Sequence, residues 1–264
     1  MLKTISSPQN PFVKELLQLK EKSRLRRKKK RFIIEGKREL SLAIKSGYTI
    51  ESLLFYPDLF SESEAMAMAH YGTAIIQISQ VVFEKLAHRQ STEGVIGVVI
   101  SKTHTLDDLI FKSKKPLVLV AEAPEKPGNI GALLRTADAA NVDAVIIANP
   151  LSDLYNPNII RSSVGGVFTT PIALSNTDDA IAYLKQLNFK IYSAILQDSV
   201  SYDTQDYTHP TAIVVGTEAT GLTRQWREAS DTNIHIPMAG TIDSMNVSVA
   251  AGILIFEAKR QRGF

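Results

Sequence analysis

Apolar residues near the start of the chain recur at helical spacing and then give way to short apolar runs. Phe12, Val13, Leu16, Leu17 and Leu19 share one helical face, which predicts an amphipathic helix over residues 10–22. After that helix, apolar runs predict strands and periodic segments predict helices in alternation, with strands at 32–34, 50–55, 73–78 and 95–100 and helices at 37–46, 62–70 and 81–86. This alternation indicates an α/β unit over residues 1–100.

A second α/β alternation begins at Pro116. Its apolar runs are continuous, which is typical of strands buried on both faces of a mainly parallel sheet, and they lie at 117–121, 144–148 and 212–215. Helices are predicted at 131–140, 178–187 and 244–260. The last of these is apolar on almost every side, so we expect it to be buried on more than one side, against a second subunit. The polar stretch 101–115 is the predicted linker between an N-terminal domain, 1–100, and a C-terminal domain, 116–264.

The composition excludes several classes of protein. The chain has 264 residues, of which 44% are hydrophobic and 22% charged, as is typical of globular domains. Because it has no cysteine, it forms no disulfide, thiolate nucleophile, iron–sulfur cluster or cysteine-based zinc site. No apolar run approaches the roughly 18 residues of a membrane-spanning helix, and residues 1–4 are not followed by the apolar core of a signal peptide. We therefore expect a cytoplasmic protein without a membrane partner.

Positive charge is concentrated at the amino-terminal end. Residues 1–38 contain 13 lysines and arginines against three glutamates, a net charge of +10, so the remainder carries −7 of the overall +3. Because lysine and arginine contacts with the phosphates of a nucleic acid release counterions, this basic segment indicates an arm that binds a polyanion such as a nucleic acid. A solvated charged helix is the alternative interpretation.

Common catalytic signatures are absent from the sequence. Residues 216–221 have the glycine spacing of a phosphate-binding loop, but the required pair of a lysine and a hydroxyl residue is incomplete, because Leu222 stands in the place of the lysine before Thr223. There is no G-x-G-x-x-G dinucleotide fingerprint, no G-x-S-x-G nucleophile elbow and no H-E-x-x-H motif. The five histidines are scattered without metal-ligand spacing, so we expect no metal site.

Three segments of the second half are not explained by helix or strand propensity. Residues 129–137 read NIGALLRTA, residues 161–166 read RSSVGG, and a third group combines GTE at 216–218, IPMAG at 236–240 and SMNVSVA at 244–250. In this order they resemble the motifs of the SpoU (TrmH-like) branch of the SPOUT RNA methyltransferases. In the first half, FIIEGKRE at 32–39 resembles the F-x-x-E-G-x-R signature of the family's RNA substrate-binding domain, which is similar in fold to certain ribosomal proteins. The chain departs from the family pattern at Glu93, Gly166 and Met245, where Gln, Ala and Leu are usual.

The resemblance implies both a fold and an activity. Family members transfer a methyl group from S-adenosylmethionine to the 2′-hydroxyl of an RNA ribose. Their C-terminal domain has a mainly parallel sheet whose last segments form a deep trefoil knot, and they are homodimers in which the knot regions pack together. Carried over to this chain, the cofactor-binding residues in the knot loops are Gly216, Thr217, Glu218, Gly221, Ile236, Met238, Gly240 and Met245. Plain turn formation is the alternative for the three glycines.

Five residues match the catalytic positions of the family, namely Asn129, Arg135, Glu218, Ser244 and Asn246. Because a guanidinium stays protonated, we expect Arg135 to stabilise the developing alkoxide and hold a neighbouring phosphate rather than to act as a base. Asn129 and Ser244 also suit helix N-caps, and Glu218 is also compatible with an ordinary loop carboxylate. Asn246 lies in an apolar helix start, where a buried amide needs partners.

The candidate RNA contacts are Arg24, Arg26, Arg27, Lys28, Lys37, Arg38 and, more weakly, Arg161. The full additional N-terminal domain favours rRNA over tRNA as the substrate. A non-catalytic RNA-binding protein that retains the fold is the alternative from another functional class. The joint presence of the five catalytic positions argues against it, since a binding module would not need that set.

Overall fold

The computed structural model of the chain describes residues 2–88, 93–217, 220–241 and 244–264. The chain forms two compact units, each with its own sheet. The first unit comprises Met1–Thr103 and Asp153–Arg161, and the second comprises His104–Ser152 and Ser162–Phe264. None of the helices in the described ranges combines the length and apolar character needed to cross a membrane.

The first unit is a mixed sheet with helices. Its elements in chain order are β1 (Lys3–Ile5), α1 (Pro11–Glu21), α2 (Ser23–Lys29), β2 (Arg31–Glu35), α3 (Lys37–Lys45), β3 (Ile50–Phe55), α4 (Glu62–Met68), β4 (Ala74–Ile78), α5 (Gln80–Leu86) and β5 (Val95–Ile100). The strand order is β1-β4-β3-β5-β2. β4 is parallel to β1 and β3, and β5 is antiparallel to β3 and β2. The predicted α/β alternation is confirmed.

The basic amino-terminal segment belongs to the core of this unit. β1 pairs with β4, and α1 buries Val13, Leu16 and Leu19, each at most 1% exposed. The helix predicted over 10–22 is confirmed by α1, but the basic segment is part of the folded unit rather than an arm that projects from it. These residues are held by a sheet and an apolar core, and exposed basic side chains of the segment, such as Lys14 of α1 and Arg24 and Arg27 of α2, lie on its surface.

Residues 153–161 also pack in the first unit. The Tyr155 ring stacks on Phe32 with 4.0 Å between the ring centroids, and its hydroxyl lies 3.2 Å from the hydroxyl of Tyr48. The backbone N–H of Lys102 donates to the same Tyr155 hydroxyl at 3.1 Å. Desolvation in this aromatic cluster raises the pKa of Tyr155 well above its ordinary value, so the phenol stays protonated.

The second unit has a parallel sheet with helices connecting the strands. Its elements are β6 (Leu117–Glu122), α6 (Pro127–Ala139), β7 (Ala144–Ala148), α7 (Pro157–Ser163, which begins in the first unit), α8 (Gly166–Thr169), β8 (Ile172–Ser175), α9 (Thr177–Gln186), β9 (Lys190–Ala194), β10 (Val200–Ser201), β11 (Thr211–Val215), α10 (Arg224–Ala229), β12 (Thr232–His235) and α11 (Val247–Arg262). The strand order is β10-β12-β9-β11-β6-β7-β8.

Each strand pairing described in this sheet is parallel. The three continuous apolar runs of the sequence form β6, β7 and β11, and every residue of these strands is buried. The predicted mainly parallel sheet is therefore confirmed. Because the strands run in one direction, the segments that follow them emerge at one edge of the sheet, where ligands of α/β proteins bind.

The last helix, α11, is buried on part of its surface only. It contacts α6, β6 and β11 and buries Ala251, Leu254, Ile255 and Ala258. On the outside it exposes Val249 and Phe256, at 54% and 41% of their surface. It begins at Val247, three residues later than the pattern predicts, because Asn246 supplies the N-cap.

Candidate active site

The predicted cofactor-binding residues lie in the segments that follow β11 and β12, and the helix that follows β6, α6, contains Asn129 and Arg135. β6 ends at Glu122, β11 ends at Val215, and β12 ends at His235. In the register of the sheet, Val215 of β11 lies opposite Ala121 of β6, so these two strands end side by side. The predicted cofactor residues therefore emerge from the carboxyl edge of the parallel sheet.

The loop after β11 is a tight turn closed by Thr217 and Gly221. Their backbones exchange two hydrogen bonds, of 3.2 and 3.1 Å, and the Thr217 hydroxyl accepts the N–H of Thr220 at 3.0 Å. A Cβ atom on Gly216 would lie 2.3 Å from the carbonyl carbon of Gly221, so the close approach of the two glycines excludes any side chain. Glu218, predicted to be both catalytic and cofactor-binding, lies outside the described residues.

A cavity of about 130 Å³ lies beside the segment that follows β12. Four predicted site residues line it, namely Ile236, Met238, Ser244 and Met245. The remaining lining residues come from the end of β9 and the loop after it, from β12 and from α11, and they are Ala194, Ile195, Leu196, Ile234, His235 and Ala250. His235 is held by Ser199, whose Oγ lies 2.9 Å from Nδ1 of the imidazole. The lining is mostly apolar with a few polar groups, as is typical of small-molecule sites. Gly216, Thr217, Gly221 and Gly240 do not line this cavity.

Asn129 and Asn246 are in direct contact. The Nδ2 of Asn246 donates to the Oδ1 of Asn129 at 3.1 Å, and the Oδ1 of Asn246 accepts the N–H of Ser248 at 3.0 Å. Asn246 is thus the N-cap of α11, so the assignment of that cap to Ser244 is wrong. The cap predicted for Asn129 is also wrong, because α6 begins at Pro127 and Asn129 lies in its first turn.

Arg135 lies on α6, six residues beyond Asn129, and its side chain is exposed. Its guanidinium makes no hydrogen bond or ion pair with the described part of the chain. Six residues of an α-helix advance about 9 Å and rotate about 240°, so Arg135 does not share the helix face of Asn129. The structure therefore joins the two asparagines and leaves the arginine available to a ligand.

Sequence analysis missed one buried carboxylate at this edge. Glu122, the last residue of β6, is 2% exposed and accepts hydrogen bonds from Thr177 and Thr223. In the sequence it looks like the first polar residue after a strand. The signal that could have identified it is a carboxylate at the carboxyl end of a strand otherwise buried on both faces.

Arg26 is wrongly predicted to contact RNA. Its side chain is 3% exposed, forms an ion pair with Asp153, and donates to the carbonyl oxygens of Leu19 and Lys20 at 2.7 and 2.9 Å. With Nε and Nη1 bonded inside the protein and almost no exposed surface, this side chain offers RNA little to contact. Arg26 therefore stabilises the first unit.

The neighbouring basic residues on α2 are available to a partner. Arg24, Arg27 and Lys28 are exposed, and none of them makes a hydrogen bond or ion pair with the residues described. Lys37 is also exposed but already pairs with Glu64 at 2.9 Å, and this hydrogen bond, together with those from the backbone and hydroxyl of Ser61, lowers the pKa of the Glu64 carboxyl to about 2. Arg38 is exposed one residue further along α3.

Arg161 belongs to the first unit. Its guanidinium contacts the imidazole Nε2 of His88 and donates to Oδ1 of Asn158 at 3.0 Å. The backbone N–H of His88 in turn donates to both carboxylate oxygens of Glu35, at 3.0 and 2.8 Å. Arg161 is therefore linked through His88 to Glu35, a residue of the FIIEGKRE segment.

Two family profiles match the chain in the same two regions. The profile of the SpoU rRNA Methylase family matches residues 116–256, and that of the MRM3-like substrate binding domain matches residues 10–97. The first match covers more than half of the chain and contains Asn129, Arg135 and Asn246. The chain belongs to the SpoU rRNA methylase family. Its resemblance to SpoU enzymes, inferred from short motifs, is thereby confirmed.

Individual SpoU relatives align over almost the whole chain. The 23S rRNA (guanosine(2553)-2′-O)-methyltransferase RlmP of Bacillus subtilis is 29% identical over 258 residues, covering 98% of this chain and all of the relative. A crystal structure of an RNA 2′-O ribose methyltransferase is 36% identical with a TM-score of 0.84, covering 99% of this chain and 100% of that one. The AdoMet-bound rRNA methyltransferase of Sinorhizobium meliloti is 28% identical with a TM-score of 0.90, each chain being covered to 98%.

Within 2–88, 93–217, 220–241 and 244–264, no three His, Cys, Asp or Glu side chains are grouped so that they could hold a metal ion.

Proposed function

We propose that this chain transfers a methyl group from S-adenosylmethionine to the 2′-hydroxyl of a ribose in rRNA. The observation that carries the proposal is the direct contact between Asn129 and Asn246, two motif residues far apart in sequence, at an edge of the sheet that also bears a mostly apolar cavity. Membership of the SpoU family and the activities of the named relatives, which act on 23S rRNA, give the reaction and the class of RNA.

The carboxyl edge of the sheet fits the cofactor. The cavity residues Ile236, Met238, Ser244 and Met245 would hold one part of it, and the Gly216–Gly221 turn, where no Cβ is tolerated, would approach another part with its backbone. Glu218 and Gly240 complete the proposed binding set. When bound, S-adenosylmethionine supplies a methyl group activated by its positive sulfonium.

Arg135 is the residue proposed to act on the substrate. Because a guanidinium holds its proton in nearly all surroundings, it does not accept the proton of the ribose hydroxyl. Its positive charge instead stabilises the alkoxide that develops on that oxygen, and it holds a neighbouring RNA phosphate. The proton of the hydroxyl is transferred to that phosphate or to water. Asn129, Asn246 and Ser244 orient the ribose through their hydrogen-bonding groups.

RNA binding is proposed for the first unit. The exposed cations Arg24, Arg27 and Lys28 of α2, together with Lys37, Arg38 and Arg161, would contact RNA phosphates. Support comes from the match of residues 10–97 to a substrate-binding domain and from the lack of partners for Arg24, Arg27 and Lys28 among the described residues.

Three finer features of the family are also proposed for this chain. We propose that the segments after β11 thread into a trefoil knot, one of the rare exceptions to unknotted topology. We further propose a homodimer formed through α11, supported by the exposed Val249 and Phe256 on its outer face. The proposed domains are an RNA-binding domain over 1–100, a linker over 101–115 and a methyltransferase domain over 116–264, although residues 104–115 pack in the second unit and residues 153–161 in the first.

The test compares substrates directly. The purified chain is mixed with radiolabelled S-adenosylmethionine and either unmodified rRNA or unmodified tRNA, and incorporation into each RNA is counted. We expect incorporation into rRNA. Incorporation into tRNA alone would show that the substrate is tRNA and not rRNA. Binding of RNA without incorporation into either would favour the non-catalytic RNA-binding protein.

A further inference from the structure

Glu122 is a buried carboxylate that the proposed chemistry does not use. It ends β6 at the carboxyl edge of the sheet and is 2% exposed. A buried carboxylate is costly unless hydrogen bonds satisfy its oxygens, so its partners indicate what it is for.

The partners of Glu122 lie in two separate connections of the second unit. Its Oε1 accepts the hydroxyls of Thr177 and Thr223, at 2.9 and 2.8 Å, and its Oε2 accepts the backbone N–H of Thr223 at 2.8 Å. Thr177 is the first residue of α9 and also accepts the Nδ2 of Asn149 at 2.9 Å. Thr223 ends the connection that begins with the Gly216–Gly221 turn.

The geometry of Thr223 indicates that its hydroxyl serves Glu122 rather than its own helix. Thr223 occupies the N-cap of α10, where a threonine ordinarily accepts a helix N–H, but its side chain makes no capping bond. Both its hydroxyl and its N–H donate to Glu122 instead. The adjacent Leu222 is 2% exposed, so the end of the Gly216–Thr223 connection is fixed by one apolar side chain and one carboxylate.

We propose that Glu122 is a positioning residue that holds residues 221–223, which follow the turn closed by Thr217 and Gly221, in the conformation that binds the cofactor. It acts through Thr223, and its bond to Thr177 fixes the carboxylate from the other side. This inference rests on the proposed function, because the connection matters to catalysis only if S-adenosylmethionine binds there.

The test uses variants that remove the hydrogen bonds of Glu122 to Thr223 and to Thr177 separately. Glu122→Ala removes every bond, Thr223→Val removes the hydroxyl bond on the cofactor side, and Thr177→Val removes the bond on the α9 side while leaving both bonds to Thr223. Glu122→Gln is the conservative variant, because its amide oxygen can accept the Thr223 N–H while its NH2 group can face the two hydroxyl oxygens as a donor.

Binding of S-adenosylmethionine is measured by calorimetry, and hydrogen exchange of residues 216–223 is measured in the cofactor-free protein. We expect Glu122→Ala to weaken cofactor binding about tenfold, the effect of losing buried hydrogen bonds to a charged group, and to accelerate exchange in 216–223. Because the loss is one of binding, the KM for the cofactor should rise while kcat at saturation stays unchanged. Thr223→Val should show smaller changes of the same kind, and Glu122→Gln should recover most of the affinity.

Thr177→Val separates positioning from general stability. We expect it to lower Tm without altering cofactor affinity or exchange in 216–223. Equal loss of affinity in Thr177→Val and Thr223→Val, or wild-type affinity in Glu122→Ala, would overturn the inference. If Glu122→Ala does not fold, the comparison of the two threonine variants decides. Failure of the wild-type chain to bind S-adenosylmethionine would count against the proposed function itself.

Discussion

The side-chain amide of Asn246 donates to the side-chain oxygen of Asn129, so the N-cap of α11 is bonded to the first turn of α6 across 117 positions of sequence. The same Asn246 side chain also accepts the Ser248 N–H that caps α11. One residue thus combines a role in helix stability with a contact to another motif residue. The two roles can be separated by mutation.

Asn246→Ser keeps a good N-cap but is too short to reach Asn129, whereas Asn246→Ala removes both interactions. We expect Asn246→Ala to lower the free energy of unfolding by about 1 kcal/mol because the cap is removed, and Asn246→Ser to leave it nearly unchanged. Methyl transfer should fall in both, by about tenfold or more, because neither variant can form the hydrogen bond between the two amides. Denaturant unfolding and a methyl-transfer assay give the two readouts. If Asn246→Ser were fully active and only the destabilised Asn246→Ala lost methyl transfer, the contact between Asn246 and Asn129 would have a structural role only.

Arg135→Ala should abolish methyl transfer while leaving folding and cofactor binding unchanged. The side chain is exposed and has no partner in the described residues, so its removal costs the fold little. Removing a charge that stabilises the transition state lowers kcat by about a hundredfold or more. Arg135→Lys keeps the charge but lacks the paired N–H donors, so we expect intermediate activity.

Lys185→Ala is the matched control for Arg135, since Lys185 is another exposed cation of the second unit, on α9. It should leave kcat unchanged. A fully active Arg135→Ala variant in the same assay would remove Arg135 from the proposed chemistry.

Neutralising the exposed face of α2 should weaken RNA binding without unfolding the chain. In the combined variant Arg24→Ala, Arg27→Ala and Lys28→Ala, the plot of log affinity against log salt should become less steep by about 0.7–0.9 for each RNA phosphate that the protein no longer neutralises. Filter binding over a range of salt concentrations measures this slope. Lys45→Ala with Lys85→Ala, which removes exposed cations elsewhere on the first unit, should alter the slope less. An unchanged slope in the α2 variant would show that Arg24, Arg27 and Lys28 do not contact RNA phosphates and belong to a solvated helix face.

Arg26, in contrast, should affect stability. Arg26→Met leaves Asp153, whose side chain is 10% exposed, buried without a counter-ion, which should lower the unfolding free energy by about 3–5 kcal/mol. Adding Asp153→Leu should restore much of this stability, because the unpaired charge is then also removed. Urea unfolding of the single and double variants measures both effects. A double variant as unstable as Arg26→Met would show that the ion pair is not the cause.

Much of the fold could be predicted from apolar patterns. Strands buried on both faces stand out as continuous apolar runs, as at Leu117–Glu122 and Ala144–Ala148. The pattern misses α2, with sequence SRLRRKK, because its inward-facing residues include the buried Arg26. It also misses β12, whose sequence TNIH contains one large apolar residue. Such elements form because neighbouring elements pack against them or pair with them. The local sequence pattern does not contain these tertiary contacts.

The candidate site was predictable only in part. Short motifs placed Asn129 and Asn246 in one family pattern, but no spacing rule connects residues 117 positions apart. Exposure could not be read from charge, so Arg26 and Arg27 appeared equivalent although one is buried and the other exposed. Glu122 was missed because its partners Thr177 and Thr223 come from distant connections that meet only after the parallel sheet has formed.

The central claim is methylation of a ribose oxygen, and the position of the transferred methyl group tests it most directly. The purified chain is incubated with unmodified rRNA and S-adenosylmethionine that carries a deuterated methyl group, and the RNA is digested to nucleosides for mass spectrometry. The account predicts a nucleoside in which the heavy methyl group remains with the ribose fragment, and its disappearance in Arg135→Ala. A heavy methyl group on the base fragment, or no labelled nucleoside from the folded wild-type chain, would contradict it.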